Sequence, residues 1–273
     1  MSLTVVPFYH SPSHTLSYVL FCPTTRHAAL IDAVADYDAA TDTLSFASAD
    51  IIIRYLERHQ LTLKWLIETH VHADHFSACN YVGEQCGGQT VVSQYISDVQ
   101  QTLKPIYQLS CATNGEQFDK LVNDDDRLPL GDYELKVLAT PGHTPDGISI
   151  YVDGHVFIGD TLFMPDSGSA RCDFPKGSAE QLYHSIQKLL SLPSDTKVWV
   201  CHDYQPEGRA LDYHSTIGCQ REQNVHLQQS APQFIAQRQQ RDATLNKPKL
   251  MDKAVPFNLQ GARVGAADSP QRL

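Results

Sequence analysis

Short apolar runs rich in Val, Leu, Tyr, Phe and Ile, separated by Pro, Ser and Thr clusters, open the chain and predict β-strands over 4–9, 15–22 and 28–33. The period then changes. Ile52, Tyr55, Leu56 and His59 fall at i, i+3, i+4 and i+7, which predicts a helix begun at Ser48 or Asp50. Leu61, Leu63, Trp65 and Ile67 alternate as a strand. A helix is expected from about Ser77 to Cys86, stopped by Gly87-Gly88, then a strand over 89–93 and a helix or irregular stretch over 96–103 before Pro105.

Strands resume over 133–139, 147–152 and 155–158, the last two joined by Asp153-Gly154, a hairpin signal. Ser178 and Gln181 have capping-box spacing ahead of Leu182, Ile186, Leu189 and Leu190, a helix ended by Pro193. A strand over 197–201 follows, then polar helices over about 216–229 and 232–244, and a tail containing Pro and Gly. No repeat of fixed period is visible. This order suits one α/β domain over 1–273, two sheets packed face to face with helices outside and a helical C-terminal extension from about 210. Periodicity alone does not separate that arrangement from a doubly wound sheet.

Composition narrows the function classes. Of 273 residues, 42% are hydrophobic and 19% charged, enough to bury a sizeable core. A formal charge of −10 argues against a nucleic acid or an anionic membrane as partner. The opening Met1-Ser2-Leu3-Thr4-Val5-Val6-Pro7 lacks a basic flank and a long apolar segment, so neither a secretory leader nor a membrane span is expected. Seven scattered cysteines without a C-x-x-C pair suggest reduced thiols and a cytoplasmic protein. A homodimer is the expectation from base rates. The run Asn123-Asp124-Asp125-Asp126 reads as a solvated turn, since it lacks the spaced ligands of a calcium loop.

The chemistry concentrates in Thr69-His70-Val71-His72-Ala73-Asp74-His75, directly after the alternating run. Three imidazoles and a carboxylate at this density suit zinc, iron or manganese rather than calcium. Further candidates follow. His143 sits in the tight turn Thr140-Pro141-Gly142-His143-Thr144-Pro145, Asp160 in Gly159-Asp160-Thr161, and His202 in Cys201-His202-Asp203-Tyr204, each near a strand end. Loops at strand ends are where a rigid sheet presents reactive groups. Isolated histidines, His10, His14, His27, His59, His155, His184 and His214, are read as ordinary surface or satisfied core residues.

The ordered set His70-Val71-His72-Ala73-Asp74-His75, Gly142-His143-Thr144, Gly159-Asp160 and His202 resembles the metallo-β-lactamase superfamily over residues 1 to about 205. That resemblance implies an αββα sandwich with the site along one edge between the sheets. Within it, Ala170-Arg171-Cys172-Asp173-Phe174-Pro175, Gly159 to Asp166 and Cys201-His202-Asp203-Tyr204 are similar to the persulfide dioxygenases, in particular the bacterial β-lactamase-hydrolase-like type linked to sulfide detoxification. Ile31-Asp32, Asp36-Tyr37-Asp38, Ser97 to Gln100 and the tail from Ala210 to about Asn258 fit the same branch.

The branch implies a single Fe(II) held by His70, His143 and Asp160, an arrangement that leaves open positions for dioxygen and substrate. The implied reaction joins glutathione persulfide, dioxygen and water to give sulfite and glutathione. His72 counts with the metal residues, while Asp74, His75 and His202 are second-site or outer-shell groups. Asp74, His75 and Tyr204 are the catalytic candidates, and Thr144, Arg171, Tyr204 and His226 the substrate-binding ones. His226 stands near the place where related enzymes use a basic residue. Arg171 has an alternative role in an ion pair with Asp173 or Asp166. Cys172 is read as a packing thiol or a redox-sensitive one. The rival function is a dizinc hydrolase of a thioester or lactone, glyoxalase II-like, with His70, His72 and His143 on one zinc, Asp74, His75 and His202 on the other, and Asp160 between.

Overall fold

In the computed structural model, which describes residues 2–263 and 271–272, the first half of the chain forms β1 (Thr4–His10), β2 (Thr15–Phe21), β3 (His27–Ile31), β4 (Val34–Asp38), β5 (Thr43–Ser45), α1 (Ala47–Arg58), β6 (Thr62–Ile67), β7 (Phe76–Ser77), α2 (Cys79–Cys86), β8 (Gln89–Ser93), α3 (Ile96–Tyr107) and β9 (Lys120–Val122). One six-stranded sheet runs in the order β1-β2-β3-β6-β8-β9. β1, β2 and β3 pair antiparallel, and β3, β6, β8 and β9 pair parallel.

All seven residues of β2 are buried, because successive side chains serve two different cores. Leu16, Tyr18 and Leu20 face the interior between the sheets. Val19 and Phe21 face the layer covered by α1 and α2, with Ile52, Ile53 and Leu56 from α1. A strand buried on both faces reads as a largely apolar run, and 15–22 does, with Thr15 and Ser17 as buried polar exceptions.

The second half adds β10 (Arg127–Leu130), β11 (Tyr133–Ala139), β12 (Ile148–Val152), β13 (His155–Phe157), α4 (Ala179–Leu190), β14 (Lys197–Trp199), β15 (His214–Thr216), α5 (Ile217–Gln223), α6 (Ala231–Asp242), α7 (Met251–Leu259) and β16 (Gln271–Arg272). A second six-stranded sheet follows the order β10-β11-β12-β13-β14-β15. Its inner residues Leu128, Leu130, Leu135, Val137, Ile150 and Val156 meet those of the first sheet, while Leu182, Ile186 and Leu189 of α4 pack on the same core. The result is the αββα sandwich of two mixed sheets. Tyr18 ties the sheets with a hydroxyl that donates to the carbonyls of Val200 at 2.5 Å and Tyr213 at 3.1 Å. A small sheet, β16-β5-β4-β7, lies beside them. Among the described residues no helix is long and apolar enough to cross a membrane.

Three expectations need correction. α3 continues through Pro105 to Tyr107, because the proline falls in the last turn and removes one hydrogen bond from a helix already anchored by Ile96, Val99 and Leu103. Gln108, left-handed at φ 54°, then closes it. The helix expected over 216–229 stops at Asn224, whose backbone is extended. Its buried amide donates to the Gly168 carbonyl at 3.1 Å and accepts from the His226 backbone N–H at 2.9 Å, so tertiary hydrogen bonds override the helical pattern. The tail contains a helix, α7, that buries Met251, Ala254, Val255, Asn258 and Leu259 on one face despite an internal Pro256.

Candidate metal centre

Four chain segments, following β6, β11, β13 and β14, carry the expected ligands. Both sheets therefore contribute, and the site straddles their shared edge. Glycine permits two of the close approaches. At Gly142 (φ 144°) a Cβ would lie 2.4 Å from Leu182 Cα, so the His143 turn rests against the start of α4 only without a side chain. At Gly159 (φ 49°) a Cβ would lie 2.5 Å from Thr69 Oγ1, which lets the Asp160 turn press on the His70 turn.

His70, His143 and Asp160 bring ligand atoms together. Asp160 Oδ2 lies 3.9 Å from His70 Nε2 and 3.7 Å from His143 Nε2. Its other oxygen, Oδ1, lies 3.5 Å from His202 Nε2, which is also 3.3 Å from Asp74 Oδ2. His72 groups with Asp74 and His75, its Nε2 faces Asp32 and Glu68, and its ring lies 4.2 Å from that of His70 between centroids.

The residues fit a cation. His70 Nε2, His72 Nδ1, His75 Nε2, His202 Nε2 and Asp160 Oδ1 are buried without a hydrogen-bond partner. Buried polar atoms are normally paired, so five together mark a place for an ion. The opposite nitrogens are tied down. His143 Nδ1 donates to the Arg171 carbonyl at 2.7 Å, and His202 Nδ1 to the His14 carbonyl at 3.0 Å. Thr69 Oγ1 donates to Asp32 Oδ2 at 2.8 Å, so at 3.0 Å from His70 Nδ1 it accepts that ring's N–H. Each such bond fixes the tautomer and turns the lone pair of the other nitrogen inward.

Charge follows the same geometry. Burial, with His72 and His143 nearby, holds His70 well below the ordinary histidine range, as a neutral ligand requires. Burial also lowers His75. On His202 burial opposes protonation, but Asp160 and Asp74 outweigh it and raise the pKa. His72 is raised well above the usual range: burial again opposes the charge, and Asp32 at 3.1 Å and Glu68 at 3.3 Å from its Nε2 prevail.

The substrate candidates separate. Tyr204 is 51% exposed and stacks on the His202 ring at 5.6 Å between centroids, so its phenol borders the site. Burial and then the Asp160 and Asp74 carboxylates raise its pKa, which keeps the hydroxyl protonated. Arg171 lines an open cavity of about 440 Å³ beside His143, with Leu103, Tyr107, Phe174 and Met251. Its guanidinium grips Asp173 through two hydrogen bonds of 2.5 Å and donates to the Asn246 carbonyl at 3.0 Å. Asp166 pairs with Arg209 instead.

Thr144 and His226 lie elsewhere. Thr144 is 1% exposed beneath the His143 turn, where no ligand reaches it without rearrangement. His226 accepts from the Ser169 backbone N–H at 2.9 Å and borders a small hollow with Phe234, Arg238 and Arg241, apart from the cavity at His143. The Thr144 hydroxyl is buried without a hydrogen-bond partner, while His226 is held by Ser169.

Cys172 is buried, and its backbone N–H donates to Asp242 Oδ2 at 2.7 Å. Burial, then the Asp242 charge, pushes its thiol up to about 12. The thiolate is the reactive form, so the native protein is expected to protect Cys172 from iodoacetamide at pH 8 while unfolded chains react. Peptide mapping after brief alkylation checks this; rapid native labelling of Cys172 overturns it.

Sequence reasoning missed the carboxylates behind the ligands. Asp32 accepts from the Thr69 N–H and hydroxyl, both at 2.8 Å, and sits against His72. Glu68 accepts from the Ser77 hydroxyl and faces the same imidazole. Asp146 accepts from the Val71 N–H at 2.9 Å. Asp32 belongs to a stretch that resembles the branch, but no role followed from that; for Glu68 and Asp146 the sequence signal is a place beside a motif.

Comparison with known proteins agrees with this geometry. Residues 10–202 match the metallo-beta-lactamase superfamily. A probable metallo-hydrolase of Burkholderia pseudomallei is 41% identical over 96% of this chain and 94% of its own. The human mitochondrial persulfide dioxygenase ETHE1 is 30% identical over 91% of this chain and 84% of its own. The crystal structure of ETHE1 from Myxococcus xanthus superposes with a TM-score of 0.75 at 31% identity, covering 95% of this chain and 99% of that one. The chain belongs to the metallo-beta-lactamase superfamily, on the branch that also holds the persulfide dioxygenases.

Proposed function

We propose that this enzyme oxidises glutathione persulfide with dioxygen and water, giving glutathione, sulfite and two protons, at one ferrous ion held by His70, His143 and Asp160. The observation that carries this reading is the grouping of two imidazoles, His70 and His143, with one carboxylate, Asp160, where His143 also lines an open cavity. Bound there, ferrous iron supplies the electrons that dioxygen activation needs, which zinc with its filled d shell does not.

The chain's own groups do the rest. Tyr204, kept protonated, offers a hydroxyl to an anionic sulfur or its oxidised product. Asp74 and His75, paired at 3.3 Å, are the groups that would hold the reacting water and take up its proton. The cavity of about 440 Å³ falls within the range of small-molecule sites and suits a tripeptide carrier. Arg171 orients that carrier at the cavity wall, with Asp173 fixing its guanidinium.

A specific feature keeps the dizinc hydrolase as the second reading: the two oxygens of Asp160 face two separate clusters, as a bridging carboxylate would. One preparation decides between them. Protein purified without air and loaded with Fe(II) is expected to bind one iron per chain and to consume one dioxygen per sulfite released from glutathione persulfide. Absence of oxygen uptake, with thioester or lactone hydrolysis by the zinc-loaded form, overturns the dioxygenase reading.

A further inference from the structure

We infer that Asn258, on the C-terminal helix α7, is a positioning residue for the metal centre. It lies beyond residue 202, where the superfamily match ends, at the close of the tail that resembles the branch, and it belongs to none of the ligand motifs. Its side chain is buried, at 7% exposure. The amide Nδ2 donates to the carbonyls of His72 and His75, each at 3.0 Å. Its Oδ1 accepts from the Ser77 backbone N–H at 2.9 Å. All three partners lie on the segment carrying the ligand cluster, or on the strand that ends it.

That segment needs such a clamp. Residues 70–75 form neither helix nor strand, so their backbone groups have no ladder to join. The His72 and His75 carbonyls point inward, where an unpaired acceptor is costly. Pairing them also fixes the backbone from which the two imidazoles project. A carboxamide serves both carbonyls and the Ser77 N–H at once because it carries two donors and an acceptor.

The helix behind it is rigidly held. Met251, Val255 and Leu259 pack with Val92, Ile96, Val99 and Leu103. Gln100, fully buried, donates to the Leu259 carbonyl at 2.9 Å and accepts from the Gly115 N–H at 3.0 Å. Asn258 thus couples a packed element to an irregular loop, as second-tier support of a metal site requires. The clamped segment also carries His70, a ligand in both the one-iron and the two-zinc readings, so the inference stands whichever reaction the site serves.

The test uses the full chain with Co(II) as probe, read by competition against a chelator, by the d–d absorption bands, and by thermal unfolding of the metal-free protein. Asn258→Asp keeps the acceptor for Ser77 but removes both donors; Asn258→Leu removes all three bonds. Each is expected to weaken Co(II) binding about 10–100-fold and to shift the d–d bands. Val255→Ala, which loosens the same helix and leaves the three Asn258 hydrogen bonds in place, is expected to lower the melting temperature of the metal-free protein and leave affinity and spectrum unchanged. Wild-type affinity and bands in Asn258→Asp overturn the inference. So does a Val255→Ala variant that loses as much affinity, because helix docking alone then accounts for the effect. If Asn258→Leu does not fold, the comparison of Asn258→Asp with Val255→Ala decides.

Discussion

Asp160→Ala is expected to leave the protein folded and nearly free of metal. The carboxylate stands between the two clusters, 3.7 Å from His143 Nε2 through one oxygen and 3.5 Å from His202 Nε2 through the other. Without it the remaining groups are mostly imidazoles, with no anion at their centre to offset the cation. Loss of a supporting residue lowers metal affinity by roughly 10–100-fold; loss of a shared ligand is expected to exceed that. Metal analysis after dialysis against chelator checks it, with circular dichroism to confirm the fold. His143→Ala should behave the same way, since its Nδ1 is committed to the Arg171 carbonyl and only Nε2 faces the site. Undiminished metal in either variant overturns the ligand assignment.

Asp32→Ala is expected to give the largest loss of stability. Asp32 is 2% exposed and lies in a left-handed conformation (φ 51°) that aspartate tolerates. Its removal strands the Thr69 N–H and the Thr69 hydroxyl proton in the interior and leaves His72 Nε2 with Glu68 alone. Breaking a buried charged pair by deleting one member costs about 3–5 kcal/mol, a large share of the roughly 5–15 kcal/mol that holds a domain folded. Urea unfolding of the metal-free protein measures it; a loss below about 1 kcal/mol removes Asp32 from the role assigned here.

The pH dependence of that loss has a definite sign. Burial raises the Asp32 pKa, but His72 and the Thr69 donors outweigh it and hold it below the ordinary 3.8. A depressed acid contributes stability that is complete above its unfolded pKa and fades as pH falls through the folded one. The gap between wild type and Asp32→Ala should therefore be widest between about pH 5 and 6, narrow below about pH 4, and narrow again as pH rises past the ordinary histidine value of about 6.5, because Asp32 also holds the charge on His72.

The elements and the ligands were legible to different degrees. Strands of clear alternation or continuous apolar content stand where expected, β11 at Tyr133–Ala139 and β8 at Gln89–Ser93 among them. The Asp153-Gly154 hairpin and the Ser178 cap also agree, because both depend on local backbone chemistry. Short β4, β5, β9 and β10 escaped notice, since three to five residues carry too little pattern. The polar helix after Thr216 was overextended because nothing local reveals the bonds that Asn224 makes with Gly168 and His226.

By itself the sequence determined that a metal-binding α/β protein of this superfamily is encoded, because dense imidazoles and acids at strand ends have few other uses and side-chain period is a local property. Tertiary structure decided which atoms meet. It turned His72 toward Asp32 and Glu68, committed Arg171 to Asp173, set Thr144 and His226 away from the opening, and brought Asn258 under the ligand loop. Those outcomes depend on distances between residues far apart in the chain, and hydrogen bonds lose their strength within about an ångström of misplacement.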